Sequence, residues 1–561
     1  MSSSTANALR SARHEGASVG RARIGRVVAN TGRDLLVMIE TGATARTALR
    51  LGDVMVLIGE GQTTVGVVSG MNMPAPGLES DGDDLWIAQV ELMGTITIAD
   101  ETLGFTRSIP KPPALGDIAY RASPADLRRL YRNGDEKSYP IGIVLGQDDV
   151  AATIDGEGLV SGGFTVMGAP GSGKSSTAVS LVRALLRNRH PIRTVLLDPN
   201  NEYGRCFGKA AKCVAPRPGT FPHWILSFRE FVWVLSCNGG ALSADECSIL
   251  EEAIPAARLR FVQRNRLPTD AATSMDAVSV DGPIPYRIAD LIAHIDKHIA
   301  SDEYRGRAAY QRLRTRIMSA VGDPRLSVLF GSVAATDTLE GLLKQIFCLE
   351  PDSPPTTVIQ LGRLTAGLDR LVVSLICRMS AALAEWSMGR FRTLVLIDDA
   401  GRYAPPTPHD RVTELSLEAI RHLGNRPRKL GTTLGIIANQ PREVHSATLN
   451  QTASFFIHRL PSQADVEAVE ERLPESAAAF LGGLSNLGDG EVVGIGRGLP
   501  MAGRIAIAKL PETAIPRENM GPDSQAGEEE LDAVAALVHR WRYCGIDEWA
   551  GPVMPPPAAP K

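Results

Sequence analysis

One eight-residue loop constrains this chain more than any other feature. Gly168, Ala169, Pro170, Gly171, Ser172, Gly173, Lys174 and Ser175 fit the pattern GxxxxGK[ST]. The loop follows a short apolar run, FTVM (164–167), and opens the helical segment SSTAVSLVRALLR. Glycines let a backbone curl round an anion with its N–H groups pointing inward, and a helix N-terminus adds partial positive charge. In that setting Lys174 reaches the β- and γ-phosphates of a nucleotide, the Ser175 hydroxyl ligates Mg²⁺, and the binding loop runs from Gly168 through Ser176. The expected cofactors are ATP and Mg²⁺. A chance glycine-rich turn would not sit between a strand and a helix in this way.

A nucleoside triphosphate site also needs a carboxylate at a neighbouring strand end to hold the metal through water, and often a second acid to orient the attacking water. TLVLID (393–398) followed by Asp399 supplies both, with Asp398 as the metal residue and Asp399 as the catalytic acid. Paired acids at a strand end can instead cap a following helix; the spacing from the phosphate loop, which suits an adjacent strand after a large insertion, favours the catalytic reading. Gln440, in GIIANQP, is placed to sense the γ-phosphate or hold the water, or simply to cap the turn before Pro441. Spacing alone leaves those two readings equal.

The rest of the chain falls into segments. Residues 1–18 are polar and expected to be disordered. Residues 19–140 contain short β-rich runs broken by glycine and acidic residues, which predict a small antiparallel barrel or sandwich. From there, apolar runs at 164–167, 194–198, 356–361, 393–398, 433–439 and 454–460 alternate with helical stretches, the pattern of a mainly parallel sheet covered on both faces. This gives an α/β core over 141–226 and 350–510 with a helical insertion at 227–349. The tail, 511–561, holds one helix candidate at 528–544 and ends in PPPAAP. With 59 Lys+Arg against 63 Asp+Glu the net charge is −4, so no overall positive field draws in nucleic acid and any DNA contact is local. Arginine-rich stretches at 257–266, 312–318 and 426–429 are candidates for phosphate contact, or ordinary solvated helix faces. The seven cysteines form no CxxC pair and read as buried thiols in a reducing cytoplasm. The most apolar helical stretch, 371–386, is interrupted by Arg378, so no membrane span is expected.

Four ordered segments resemble the HerA/FtsK superfamily, and the HerA-type ATPases in particular. GFTVMGAPGSGKSST is similar to the family's phosphate loop, LLDPNNEYG (196–204) to its DPxxEY strand end, TLVLIDDAGRYAP (393–405) to its Walker B segment, and RHLGNRPRKLGTTLGIIANQPREVHSATLNQTASFFIHRL to its sensor and final strands. The resemblance implies a RecA-like P-loop ATPase core with a small N-terminal barrel, assembled as a homohexamer that threads double-stranded DNA without sequence specificity. It implies a partner, either a nuclease of the NurA kind or another effector subunit, as in bacterial anti-phage systems. It also implies an arginine finger from a neighbouring subunit, for which Arg421 and Arg428 are the candidates and Arg459 a weaker one; an ordinary salt bridge is the competing role for each. Relatives commonly carry glutamate and Ala-His where this chain has Asp399, Ala400 and Gly401. A carboxylate one methylene shorter falls about 1 Å short of the water, which costs on the order of a hundredfold in rate. Hydrolysis is therefore expected to be slow without DNA or a partner, and Glu202, from the DPNNEY strand end, is a second candidate for holding the water. The expected function is ATP-driven DNA translocation or unwinding; the alternative is an ATP-binding hexameric scaffold that regulates an effector with little translocation.

Overall fold

The structure, a computed structural model, describes residues 21–517 apart from 32–33, 41–48, 60–61, 73–85, 100–101, 132–137, 148, 266–277, 301–306, 332–336, 366 and 474–477, together with Val538. The expected disorder over 1–18 and the expected helix over 528–544 lie outside the described residues, Val538 excepted. The chain divides into two compact units, 1–191 with 433–515, and 192–432 with 516–561.

The first unit begins with seven strands: β1 (Arg23–Asn30), β2 (Asp34–Ile39), β3 (Val54–Gly59), β4 (Gln62–Asn72), β5 (Trp86–Ala99), β6 (Thr102–Thr106) and β7 (Ile118–Arg121). They hydrogen-bond in the order β2-β1-β7-β3-β4-β5, and β2 pairs antiparallel with β5, so six strands close into a barrel with β6 folded back onto β5. Closure removes the free edges that a small sheet would otherwise expose. Inward residues alternate with outward ones, and Ile24, Val27, Leu35, Val37, Val68 and Val90 fill the interior. Strand β7, which lies between β1 and β3, comes from the segment GDIAYR. Its four residues are too short to show periodicity.

Eleven further strands follow: β8 (Ser138–Val144), β9 (Ala151–Asp155), β10 (Phe164–Met167), β11 (Arg193–Asp198), β12 (Ala211–Val214), β13 (Thr356–Gln360), β14 (Thr393–Ile397), β15 (Thr432–Ala438), β16 (Ser454–Ile457), β17 (Glu491–Gly496) and β18 (Gly503–Ile507). In the first unit they run β15-β10-β16-β17-β18-β8-β9. Strand β10 is parallel to β15 on one side and β16 on the other, and every pair from β16 onward is antiparallel. Among the helices that accompany these strands are α1 (Pro124–Leu130), α2 (Gly156–Gly162) and α3 (Lys174–Arg187). Barrel and sheet are tied within this unit: the Arg107 guanidinium, beyond β6, donates to the Gly496 and Leu499 carbonyls at 2.5 and 2.7 Å.

In the second unit β12, β13, β11 and β14 lie side by side, all parallel. Its helices are α4 (Phe228–Ser236), α5 (Ala244–Asn265), α6 (Ile288–Ala300), α7 (Arg307–Val321), α8 (Leu339–Phe347), α9 (Leu368–Trp386) and α10 (Arg411–Leu423). Helix α4 starts with a capping box, in which the Ser227 hydroxyl accepts from the Glu230 amide and the Glu230 carboxylate accepts from the Ser227 amide. The same buried carboxylate takes an ion pair from Arg378 at 2.8 Å and a hydrogen bond from the Ser374 hydroxyl at 2.9 Å, so the arginine that interrupts the apolar run of α9 has a structural role. Among the described residues no helix is long and apolar enough to cross a membrane. Together these features form a P-loop ATPase α/β fold with a small N-terminal barrel and helices inserted between β12 and β13.

Candidate nucleotide site

The phosphate loop leaves β10 and enters α3 with an unusual backbone path. Gly173 sits at φ +105° as the residue capping α3, and Gly168 at φ +152°, where an added Cβ would lie 2.5 Å from the Cβ of His458. A side chain at either position would strain the loop, so glycine is needed there for conformation and for space. The loop is pinned on both sides within its own unit. The Ala169 amide donates to the Arg459 carbonyl at 2.9 Å and the Gly490 amide to the Ser172 carbonyl at 3.0 Å. Lys174 is buried, and its ammonium donates to the Ala169 carbonyl at 2.9 Å; the Ser172 hydroxyl donates to the same carbonyl at 2.7 Å. The Ala169 carbonyl thus collects two donors inside the loop. Ser175 and Ser176 lie half-buried in the first turn of α3, whose leading amides have no partner within the helix, while Pro170 and Gly171 are exposed at the tip. The arrangement fits a polyphosphate: a glycine path that opens a helix N-terminus, and a lysine held by a carbonyl that a phosphate oxygen can replace.

Beneath the loop is a residue that the motif does not include. His458 is fully buried, and its Nε2 lies 3.0 Å from the Thr177 hydroxyl in the first turn of α3. Burial, and after it the charge of Lys174, lower its pKa to about 4, so it is neutral where the enzyme works. Nδ1 has no hydrogen-bond partner among the described residues. Gln440 stands at the same sheet edge as the loop, because β15 and β10 are parallel with Ala438 opposite Met167. Its backbone is extended, its side chain is exposed and makes no capping hydrogen bond, so the turn-capping reading loses its support. Arg459 pairs with Asp489 at 3.2 Å within its own chain.

The acids occupy the second unit. Leu197 faces Ile397 across the parallel pair β11–β14, which brings Asp198 and Asp398 side by side just past the strand ends. Asp198 is fully buried and accepts from the Glu202 and Tyr203 amides, both at 3.0 Å. Burial pushes its pKa up to about 6, against the pull of those amides, and the Glu202 charge adds to the rise. Asp398 goes further, to about 7, through burial first and then the charges of Glu202, Asp198 and Asp399. Three carboxylates crowd one strand edge, and neither Asp398 nor Asp198 has a cationic group among the causes acting on it. Such an arrangement fits a divalent cation, whose charge would relieve the repulsion. Asp399 adopts a left-handed conformation (φ 51°, ψ 48°) and heads a short turn, Ala400–Arg402, without a side-chain capping bond. The two acids at the end of β14 are therefore not helix caps. Arg402 pairs with buried Asp369 at 2.7 Å, and Arg370 donates to the Arg402 carbonyl, which fixes the turn.

Asp198 and His458 were missed as site residues in the sequence. DPNNEY was visible as a motif without showing which of its acids is buried, and one histidine in an apolar strand carries no signal of what packs over it. Of the arginines, Arg421 is exposed near the end of α10 and Arg428 is half-buried in the turn beyond it. Most of the arginine-rich stretches are used internally. Arg258 is buried, donating to the Ser279 and Trp224 carbonyls, Arg264 pairs with Asp290, Arg314 with Asp296, and Arg312 and Arg316 with Glu246. The buried-thiol reading also holds only in part, since Cys213 and Cys237 are exposed.

Parts of the chain are similar to known proteins. The family model described as "Helicase HerA, central domain" matches residues 139–380. A probable helicase of Methanocaldococcus jannaschii is 21% identical over 439 residues, spanning 76% of this chain and 79% of its own. A second probable helicase of that organism is 22% identical over 433 residues, 73% and 74% of the two chains. Among solved structures, VirB4 of Thermoanaerobacter pseudethanolicus aligns with 68% of this chain and 99% of its own at TM-score 0.48 and 18% identity. The plasmid coupling protein TrwB in complex with ADP and Mg²⁺ aligns with 71% and 95% at TM-score 0.41 and 13% identity. Residues 139–380 are thus similar to the central domain of HerA-type helicases.

Proposed function

We propose that this chain hydrolyses ATP with Mg²⁺ and couples the reaction to movement of double-stranded DNA, as a homohexamer working with a nuclease or another effector subunit. The observation that carries the reading is the phosphate loop of the first unit, a glycine path that opens a helix at a buried lysine; within the second unit, the crowded carboxylates at the ends of β11 and β14 support it. On this reading the amides at the start of α3 bind phosphate oxygens, and Lys174 leaves the Ala169 carbonyl for the β- and γ-phosphates. Ser175 and Asp398 are the metal residues of this reading. Bound Mg²⁺ would neutralise charge on the β- and γ-phosphoryl oxygens. Asp399 orients the attacking water, with Gln440 and Glu202 as the other polar residues for that task, and Arg421 or Arg428 of a neighbouring copy stabilises charge on the transferring phosphoryl group.

The test is phosphate release by the wild type and Lys174→Ala, each with and without linear duplex DNA, with particle mass measured on the same samples. DNA-stimulated release that disappears in Lys174→Ala, from particles of six chains, is the expected result. Equal release by both proteins removes the proposal. An alternative reading, a nucleotide-binding scaffold with little translocation, draws on one feature, the short carboxylate of Asp399 at the water-activating position. It predicts six-chain particles that bind ATP and activate an effector without displacing a DNA-bound roadblock.

A further inference from the structure

The helical insertion holds a cluster that the ATPase chemistry does not use. His294 and His298 lie one turn apart on α6, so helical geometry puts both imidazoles on one face. Across from them, on α5, a single carboxylate oxygen of Glu252, Oε1, lies 3.7 Å from His294 Nε2 and 4.0 Å from His298 Nε2. One ligand atom from each residue falls within 4.8 Å of the others.

These separations are informative. Both exceed the 2.7–3.2 Å of a nitrogen–oxygen hydrogen bond, so the three groups are not joined by hydrogen bonds to each other. They are near what a shared ion requires: ligands about 2.0–2.1 Å from a tetrahedral metal stand about 3.3 Å apart, so side-chain rotations that close the widest gap by about 1.5 Å complete the set. One of the imidazoles is also prepared for ligation. His298 stacks on Tyr310 of α7, with ring centroids 5.2 Å apart and planes 13° from parallel, and this holds the ring on the Glu252 side. Glu252 is exposed, which leaves the fourth position open to water.

We propose that Glu252, His294 and His298 form a binding site for a zinc-class divalent cation that clamps α5 to α6. Two imidazoles and one carboxylate select a borderline-soft transition ion. Mg²⁺ prefers oxygen ligands and octahedral geometry, so the ion of the nucleotide site does not compete. The site lies in the inserted helices, so its occupancy sets their packing without entering the ATPase chemistry.

The experiment uses the full chain, stripped with a chelator that is then removed by dialysis, and titrated with Zn²⁺ against a chromogenic indicator and with Co²⁺ by visible absorption. One equivalent of Zn²⁺, a Co²⁺ spectrum of four- or five-coordinate intensity, and no displacement by millimolar Mg²⁺ are expected. Loss of a ligand weakens binding by at least about tenfold, so His294→Ala/His298→Ala and Glu252→Ala should each lose the equivalent. The Zn²⁺-induced rise in melting temperature should vanish with it, while melting without metal and Lys174-dependent phosphate release stay at wild-type values. Metal-free melting equal to wild type shows that the variants fold. Absence of binding by the wild type overturns the proposal. So does an equivalent that persists in the double variant, which would place the ion elsewhere, for instance on exposed Cys213 and Cys237.

Discussion

Replacing Asp398 by asparagine should make the protein more stable while abolishing hydrolysis, and the gain should depend on pH in a defined direction. The folded state holds the Asp398 carboxyl at about 7 instead of the ordinary 3.8, because burial and the neighbouring acids oppose its ionised form. Below pH 3.8 both folded and unfolded states are protonated and nothing is lost. As pH rises from there to about 7 the unfolded chain gives up the proton and the folded one keeps it, so stability falls throughout that window and levels off above it. A shift of about 3 units corresponds to about 4 kcal/mol, an upper bound because Asp198 and Glu202 share the same repulsion. The portion between about pH 5.5 and pH 8 is then about 2 kcal/mol, or roughly 4–8 °C of melting temperature for a large domain. Asparagine keeps the shape and removes the charge. Buried His458 and His223, both depressed to about 4, bend the pH profile the opposite way, but they do so equally in both proteins and drop out of the difference. The assay is thermal melting at pH 5.5 and pH 8 without Mg²⁺ or nucleotide. The variant should melt higher at pH 8, with the gap shrinking at pH 5.5. An Asp398→Asn protein that melts at or below wild type at pH 8 refutes the claim that these carboxylates meet without a counter-ion, and with it the metal assignment.

Asp399 tests the second acid. Asparagine tolerates the left-handed backbone as aspartate does, so Asp399→Asn should fold normally, bind nucleotide and lose phosphate release by about a hundredfold or more, read as single-turnover hydrolysis. Asp399→Glu should retain or raise the rate if reach is what limits it, and loss of activity there would defeat the short-carboxylate argument. His458→Phe strands the Thr177 hydroxyl beneath the phosphate loop, at a cost of about 1–3 kcal/mol; the KM for ATP should rise more than kcat falls, and an unchanged KM would mean that the histidine only fills space. Removal of residues 1–121, which takes away the barrel strands and spares β8, should disperse the six-chain particle in mass photometry; intact particles would show that the barrel is dispensable for assembly.

What could be read in the sequence follows from how strongly each element writes its own signal. The parallel strands β10, β11, β13, β14, β15 and β16 are buried on both faces, so they appear as continuous runs of valine, leucine, isoleucine and phenylalanine. The antiparallel edge does not. Strands β8, β9, β17 and β18 are short or interrupted by glycine or Pro140, and each takes its identity from a neighbour distant in sequence. The same limit explains the arginines: Arg258 and Arg316 look like a basic face until packing places carbonyls and Glu246 beside them. Local charge density says little about where a charge ends up when the partner lies tens of residues away.

The two halves of the site differ in the same respect. A phosphate loop is a local object, and its glycines, lysine and serine are contiguous because backbone amides and a helix start can be supplied only by a continuous stretch of chain. A metal-holding carboxylate cluster can be assembled from any strand ends that the sheet brings together, and here Asp198 and Asp398 are two hundred residues apart, matched only by the register of β11 on β14. That register also sets the electrostatics. Slipping β14 by one residue would turn Asp398 to the opposite face of the sheet and put Ile397 at its place, ending the burial and the repulsion from Glu202 and Asp198 that lift Asp398. The raised pKa of Asp398 therefore reports in part the pairing of two strands, and a pH profile flattened fully by Asp398→Asn and partly by Asp198→Asn is the solution signature of that register.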